Sequence, residues 1–108
     1  MSSSENRRTV RSYVLRAGRI TVAQRRALDE LWSRYVIDAT GALDLDAVFG
    51  RHAPRVIEIG FGHGESLLAL AAAAPDKDFL GIEVHGPGVG KLLLEAAAAG
   101  LGNVRVVC

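Results

Sequence analysis

Three glycines and two acids lie within nine residues, EIGFGHGES, which run from Glu58 to Ser66. Gly60, Gly62 and Gly64 occupy alternate positions directly after an apolar run. Glycine tolerates positive φ and lets a ligand approach the main chain closely. A glycine-rich turn between a strand and a helix is a common binding site for nucleotide-like ligands. This stretch is therefore the first candidate for a ligand site.

The type of glycine turn indicates the type of ligand. A phosphate-binding P-loop ends in Gly-Lys-Ser/Thr, which is absent here. The dinucleotide fingerprint G-x-G-x-x-G would place Glu65 at its third glycine. The remaining form, G-x-G-x-G behind an acidic strand residue, resembles motif I of S-adenosylmethionine-dependent methyltransferases. S-adenosylmethionine carries an ammonium and a sulfonium but no phosphate, so Glu58 and Glu65 attract it and repel a pyrophosphate. An oxidoreductase fragment stays a more distant alternative.

A third acid, Glu83 in GIEVH, follows Glu58 by 25 residues and ends a second apolar run. An acid about 20 residues beyond such a glycine turn accepts hydrogen bonds from ribose hydroxyls. This feature does not separate S-adenosylmethionine from NAD, because both contain an adenosine ribose. It does predict that Glu83 contacts the ligand.

The elements that must position these residues alternate between strand and helix. The segments RVIEIG, DFLGIEV and NVRVVC predict strands, and ESLLALAAAA and GVGKLLLEAAAA predict helices. Strand–helix–strand–helix–strand with short connections indicates an α/β fold with a parallel sheet and right-handed crossovers. In a doubly wound sheet the first strand is central and has neighbours on both sides. Three strands are half of such a sheet, so we expect the N-terminal part of a larger protein.

Three regions are predicted along the chain. Before the sheet, TVAQRRALDELWSRY has the apolar spacing of a helix, with Trp32 and Tyr35 on its apolar side. These two rings are expected in the core and not as a platform for base stacking. The predicted regions are a basic, partly disordered arm (1–20), a helical region with a linker (21–54) and an incomplete Rossmann-like domain (55–108).

The net charge of +1 conceals an uneven distribution. The first 26 residues carry a net charge of +6, and the residues from Ala27 onward carry −5. A basic arm on an acidic body suggests a polyanionic partner, although a solvated tail has the same composition. Arginine- and serine-rich starts also occur in mitochondrial transit peptides.

Composition narrows the class of protein further. A chain of 108 residues with 49% hydrophobic residues suits one small globular domain. Its longest apolar runs are too short for a membrane span, which needs roughly 18 residues. The single cysteine, Cys108, is consistent with a cytoplasmic protein, and three scattered histidines predict no metal site.

Several segments together resemble one family. RTVRSYVLRAGRIT, EIGFGHGES, DFLGIEVHGPGVG and GLGNVRVVC are similar to the bacterial tRNA (guanine-N7-)-methyltransferases, from Arg7 to Cys108. The resemblance implies a Rossmann-like enzyme that methylates N7 of guanine 46 in tRNA with S-adenosyl-L-methionine. It implies that the cofactor-binding residues are Glu58, Gly60, Gly62, Gly64 and Glu83. It favours RNA contact by arginines of the arm, namely Arg7, Arg8, Arg11, Arg16 and Arg19.

The resemblance also implies two features that these 108 residues do not contain. Family members have an Asp that faces the adenine shortly after the third strand, and a later PDPW-x-K segment that holds the acid at the reaction centre. No catalytic residue is therefore assigned here, and the chain alone is expected to be inactive. The alternative is an inactive, truncated relative that acts as a cofactor- or RNA-binding module. The oligomeric state is not indicated.

Overall fold

The computed structural model describes residues 21–38 and 41–108. The predicted basic arm, with its five arginines, lies outside the described residues. Seven helices and strands are found in the described part: α1 (Val22–Tyr35), α2 (Leu45–Phe49), β1 (Arg55–Ile59), α3 (Glu65–Ala73), β2 (Asp78–Ile82), α4 (Gly86–Ala98) and β3 (Val104–Val107).

The three strands form one parallel sheet in the order β1-β2-β3. Glu58 of β1 pairs with Gly81 of β2, which pairs with Val106 of β3. Helix α3 connects β1 to β2, and α4 connects β2 to β3. The predicted α/β architecture, half of a Rossmann-like sheet, is confirmed.

Local sequence sets the limits of the helices. Asp44 caps α2 by accepting a hydrogen bond from Ala47 N at 3.3 Å, and Gly50 ends this helix with φ 72°. Helix α4 begins at Gly86, earlier than predicted, because Pro87 fits the first turn of a helix and needs no N–H partner there. Gly100, at φ 68°, follows its end as predicted.

One face of the sheet packs with three helices into a single core. Phe79, Val104 and Val106 on this face are at most 3% exposed and join side chains of α1, α3 and α4. Trp32 and Tyr35 of α1 are 1% and 0% exposed, which confirms their predicted place in the core. The glycine turn and the ends of the strands are thus held by a continuous apolar layer.

The end of α1 is tied to the far edge of the sheet. Tyr35 OH donates a hydrogen bond to Leu101 O at 2.6 Å, just before β3. Val36 forms a parallel bridge to Val106, and Ile37 N donates to Val106 O at 2.8 Å. This short segment covers the outer edge of β3, a contact that the sequence pattern did not predict.

Strand β1 is the opposite edge, and among the described residues it pairs with β2 alone. Its side chains Ile57 and Ile59 are 56% and 78% exposed. A central strand would have these apolar groups covered. No helix in the described ranges is both long enough and apolar enough to span a membrane.

Candidate functional site

The glycine loop, residues 60–64, leaves the carboxyl end of β1 and leads into α3. Gly60, Gly62 and Gly64 have φ angles of 74°, 64° and 82°, a region that other residues rarely adopt. Gly64 N donates to Phe61 O at 2.9 Å and closes the turn. An ideal Cβ on Gly60 or Gly62 would meet no atom within 4 Å, so these residues leave open space beside the main chain. Glycine is therefore required at these positions by the backbone angle.

Glu83 follows β2 at the same edge of the sheet and binds the glycine loop. Gly62 N donates to Glu83 Oε1 at 2.6 Å, whereas Val84 N and His85 N donate to Oε2 at 2.9 and 3.3 Å. The Gly62 N–H has the largest effect in lowering the pKa of Glu83, followed by the His85 and Val84 N–H groups, because all of them stabilise the carboxylate. The carboxylate thus links the loop to the start of α4.

The other two acids have different surroundings. Glu58 is half-buried near the end of β1, and among the described residues it has no hydrogen bond or ion pair. Glu65 begins α3 and pairs with Lys91 of α4 at 3.2 Å. Lys91 therefore offsets much of the negative charge of Glu65, and the free carboxylate of Glu58 remains near the loop.

The predicted cofactor residues lie together at the carboxyl edge of the sheet. A direct hydrogen bond joins Glu83 to the glycine loop, and Glu58 precedes Gly60 by two positions on β1. The edge where parallel strands end is the usual ligand position in open α/β sheets. The assignment of these residues to a cofactor stays a prediction, and the five arginines predicted to bind RNA lie outside the described residues.

Two histidines flank the glycine loop. The rings of His63 and His85 have centroids 5.9 Å apart, and both side chains are exposed. A cavity of about 260 Å³ lies beside the loop and is lined by Phe61, His63, Glu65 and neighbouring residues. These rings are placed to contact a ligand at the loop. No group of three metal-ligating side chains is found in the part of the chain that the structure describes.

Sequence reasoning missed Gly88, which lies in the first turn of α4. An ideal Cβ there would be 2.0 Å from Gly62 O, so only glycine allows this contact. The signal was the run GPGVG, because glycine inside a helix costs about 1 kcal/mol relative to alanine. Three glycines in one helix therefore indicated that something packs closely against it.

A larger cavity, of about 310 Å³, lies at the amino ends of the strands and does not involve the glycine loop. The buried Asp78 at its wall accepts hydrogen bonds from Arg51 Nε at 2.9 Å and Arg55 Nε at 3.3 Å. Asn103 there donates to carbonyl groups of the α3–β2 connection. These polar groups are satisfied within the fold and join α2, β1 and β2.

Comparisons with known proteins agree in one direction. A family model described as "Putative methyltransferase" matches residues 52–108. Curated relatives with the name tRNA (guanine-N(7)-)-methyltransferase include those of Alcanivorax borkumensis (59% identical, 94% of this chain, 43% of the relative) and Methylococcus capsulatus (58%, 92% and 43%). The Alkalilimnicola ehrlichii relative of the same name is 53% identical over 97% of this chain and 46% of its own length. The chain thus spans less than half the length of these relatives and matches their N-terminal part.

We expect acid to release the glycine loop from Glu83. Because the pKa of Glu83 lies below its usual 4.5 in the folded protein, its hydrogen bonds stabilise the loop fully above pH 4.5. That stabilisation is lost as the pH falls through the lowered pKa. The amide resonance of Gly62, followed by NMR, should show a transition with a midpoint below 4.5.

The control is Glu83→Gln, which keeps an acceptor oxygen and does not titrate. The Gly62 transition should be absent in this variant. A transition of the same midpoint in both proteins would show that another group causes it.

Proposed function

Because the chain belongs to the methyltransferase family whose model matches it, we propose that it forms the cofactor-binding part of a tRNA (guanine-N7-)-methyltransferase. The single observation that carries the proposal is the hydrogen bond between Glu83 and the glycine loop at the carboxyl edge of the sheet. The proposed reaction is methyl transfer from S-adenosyl-L-methionine to N7 of guanine 46 in tRNA. The names of the similar proteins support the tRNA guanine substrate.

The residues at the loop fit S-adenosylmethionine. Glu83 uses three of about four carboxylate acceptor sites on N–H groups, which leaves one for a ribose hydroxyl. The open space beside Gly60 and Gly62 allows a ligand to reach the main chain. Glu58 supplies a free negative charge that suits the ammonium or sulfonium group and would repel a pyrophosphate. We therefore assign the ligand contacts to Glu58, the glycine loop and Glu83.

The chemistry requires little from these residues beyond binding. S-adenosylmethionine supplies an electrophilic methyl group on a sulfonium. N7 of guanine carries a lone pair, so no base has to remove a proton before attack. His63 and His85 are therefore assigned to the wall of the site and not to proton transfer. No catalytic residue is assigned within the 108 residues, and in the proposed enzyme the reaction centre is completed by sequence with the PDPW-x-K segment.

The partner of the arm is tRNA in this proposal. Five arginines of the arm offer guanidinium groups for phosphate contact, namely Arg7, Arg8, Arg11, Arg16 and Arg19. Their family resemblance makes a transit peptide the weaker interpretation. A cytoplasmic location follows from the proposed tRNA substrate. The second candidate function is a binding module without catalysis, which the missing reaction-centre residues favour.

We expect a chimera to methylate tRNA. In this chimera the chain replaces the matching segment of the Alcanivorax borkumensis relative, with which it is 59% identical. Labelled methyl from S-adenosylmethionine should appear at N7 of guanine 46 in unmodified tRNA. The 108-residue chain alone should transfer none, because it lacks the reaction-centre segment.

An inactive chimera that still binds both ligands would favour the binding module. Label in tRNA incubated with the 108-residue chain would disprove the expected inactivity of that chain.

Removing the carboxylate of Glu83 should weaken cofactor binding. Glu83→Ala in the chimera should raise the dissociation constant of S-adenosylmethionine about tenfold to a hundredfold, through lost charge-assisted hydrogen bonds. Gly62→Val should be worse, because a branched residue does not tolerate φ 64°. Calorimetry measures both. The matched control is Glu95→Ala, because Glu95 pairs with Lys91 on α4 and not with the loop.

Deleting Met1 to Gly18 should weaken tRNA binding and flatten its salt dependence. Each lost phosphate contact should lower the slope of log affinity against log salt by about 0.7–0.9. Binding assays at several salt concentrations measure this slope. Affinity for S-adenosylmethionine should stay unchanged as the internal control. A slope that is the same with and without the arm would identify the arm as a solvated tail.

A further inference from the structure

Helix α4 supports the glycine loop through one face. An ideal Cβ on Gly88 would lie 2.0 Å from Gly62 O and 2.9 Å from its carbonyl carbon. An ideal Cβ on Gly64 would lie 2.4 Å from Leu92 Cδ1. Gly88 and Leu92 are four positions apart, so they share one face of the helix. The loop therefore rests on α4 at two of its three glycines.

Gly62 is held through both of its main-chain polar groups. Its N–H donates to Glu83 Oε1 at 2.6 Å, and its carbonyl oxygen lies against Gly88. Glu83 also accepts N–H groups of Val84 and His85, which lead into α4. A displacement of the first turn of α4 is thus transmitted to Gly62 by a contact on one side and a hydrogen bond on the other.

The contact at Gly88 differs from the close packing at another glycine of the fold. A Cβ on Gly81 would meet the side chains of Phe61 and Leu67 at 2.6 and 2.8 Å, and side chains can rotate away. At Gly88 the obstacle is a backbone carbonyl, which moves only with the loop. Real Cβ atoms essentially never approach such an atom within 3.0 Å, so the loop or the helix would have to shift by about 1 Å.

We propose that Gly88 and Glu83 together position Gly62, so that the glycine loop has its ligand-binding shape before the ligand arrives. Gly88 is a positioning residue, because it lets α4 reach the loop and touches no proposed ligand. The ligand named for this site, S-adenosylmethionine, rests on the proposed function. The support of Gly62 by α4 rests on the contacts alone. Such preorganisation lowers the ordering cost of binding.

Hydrogen exchange in the full 108-residue chain, without any ligand, tests the support directly. Gly88→Ala should accelerate exchange of the Gly62 amide about tenfold or more, because the displaced loop loses its hydrogen bond to Glu83. The amides of Phe79 and Ile37, which bond within the sheet, should keep their rates. Gly102→Ala is the matched control, since a Cβ there meets no atom within 4 Å.

Two results of this experiment would overturn the inference. The first is an unchanged rate for Gly62 in Gly88→Ala. The second is equal acceleration at Gly62, Phe79 and Ile37, which would mean a general loss of stability.

If Gly88→Ala does not fold, variants of Glu83 provide the decision. Glu83→Ala should accelerate Gly62 exchange, whereas Glu83→Gln, which retains an acceptor oxygen, should restore the slow rate. An unchanged Gly62 rate in Glu83→Ala would contradict the proposal.

Calorimetry of the chimera with S-adenosylmethionine separates this inference from the proposed function. Gly88→Ala should weaken binding about tenfold, while Gly102→Ala leaves it unchanged. If the unsubstituted chimera binds no S-adenosylmethionine, the proposed function fails, and the exchange rates still decide whether Gly62 is held. Accelerated exchange with full cofactor affinity would disprove a role of Gly88 in preparing the site.

Discussion

The contact between the Gly62 carbonyl and Gly88 constrains the whole carboxyl edge of the sheet. Two backbones approach here more closely than any side chain permits. The approach sets how α4 leaves β2, and α4 in turn packs on α1 and on the core face of the sheet. Because packed interiors are dense and do not deform continuously, the position of the loop and the position of α4 are determined together.

Electrostatics reinforces the same arrangement. Glu83 is a carboxylate at the amino end of α4, where the N–H groups of a helix favour negative charge. Its hydrogen bonds to Gly62, Val84 and His85 use most of its acceptor sites. The residue that the family resemblance assigns to ribose binding is therefore also a structural link between loop and helix. One side chain can serve both purposes because a carboxylate accepts several hydrogen bonds.

The two edges of the sheet differ in how they are completed. At β3 the segment after α1 adds a bridge through Val36 and Ile37. At β1 the described residues provide no second neighbour, and Ile57 and Ile59 are exposed. The match to less than half the length of the curated relatives is consistent with this difference, since the relatives have more than twice as much sequence from which to build.

Local features of the sequence were sufficient to predict the order of helices and strands, the parallel sheet and the place of the glycine loop. Apolar periodicity, Pro75, Gly50 and Gly100 act over a few residues, so their effects are visible in one dimension. The sequence also predicted Glu83 at the loop, because acids at this spacing follow the strand order. The contact of Gly88 with Gly62, the pairing of Glu65 with Lys91 and the bridge at Val36 depended on the tertiary structure. These contacts join residues far apart in the chain, and only the crossing of packed elements decides which of them meet.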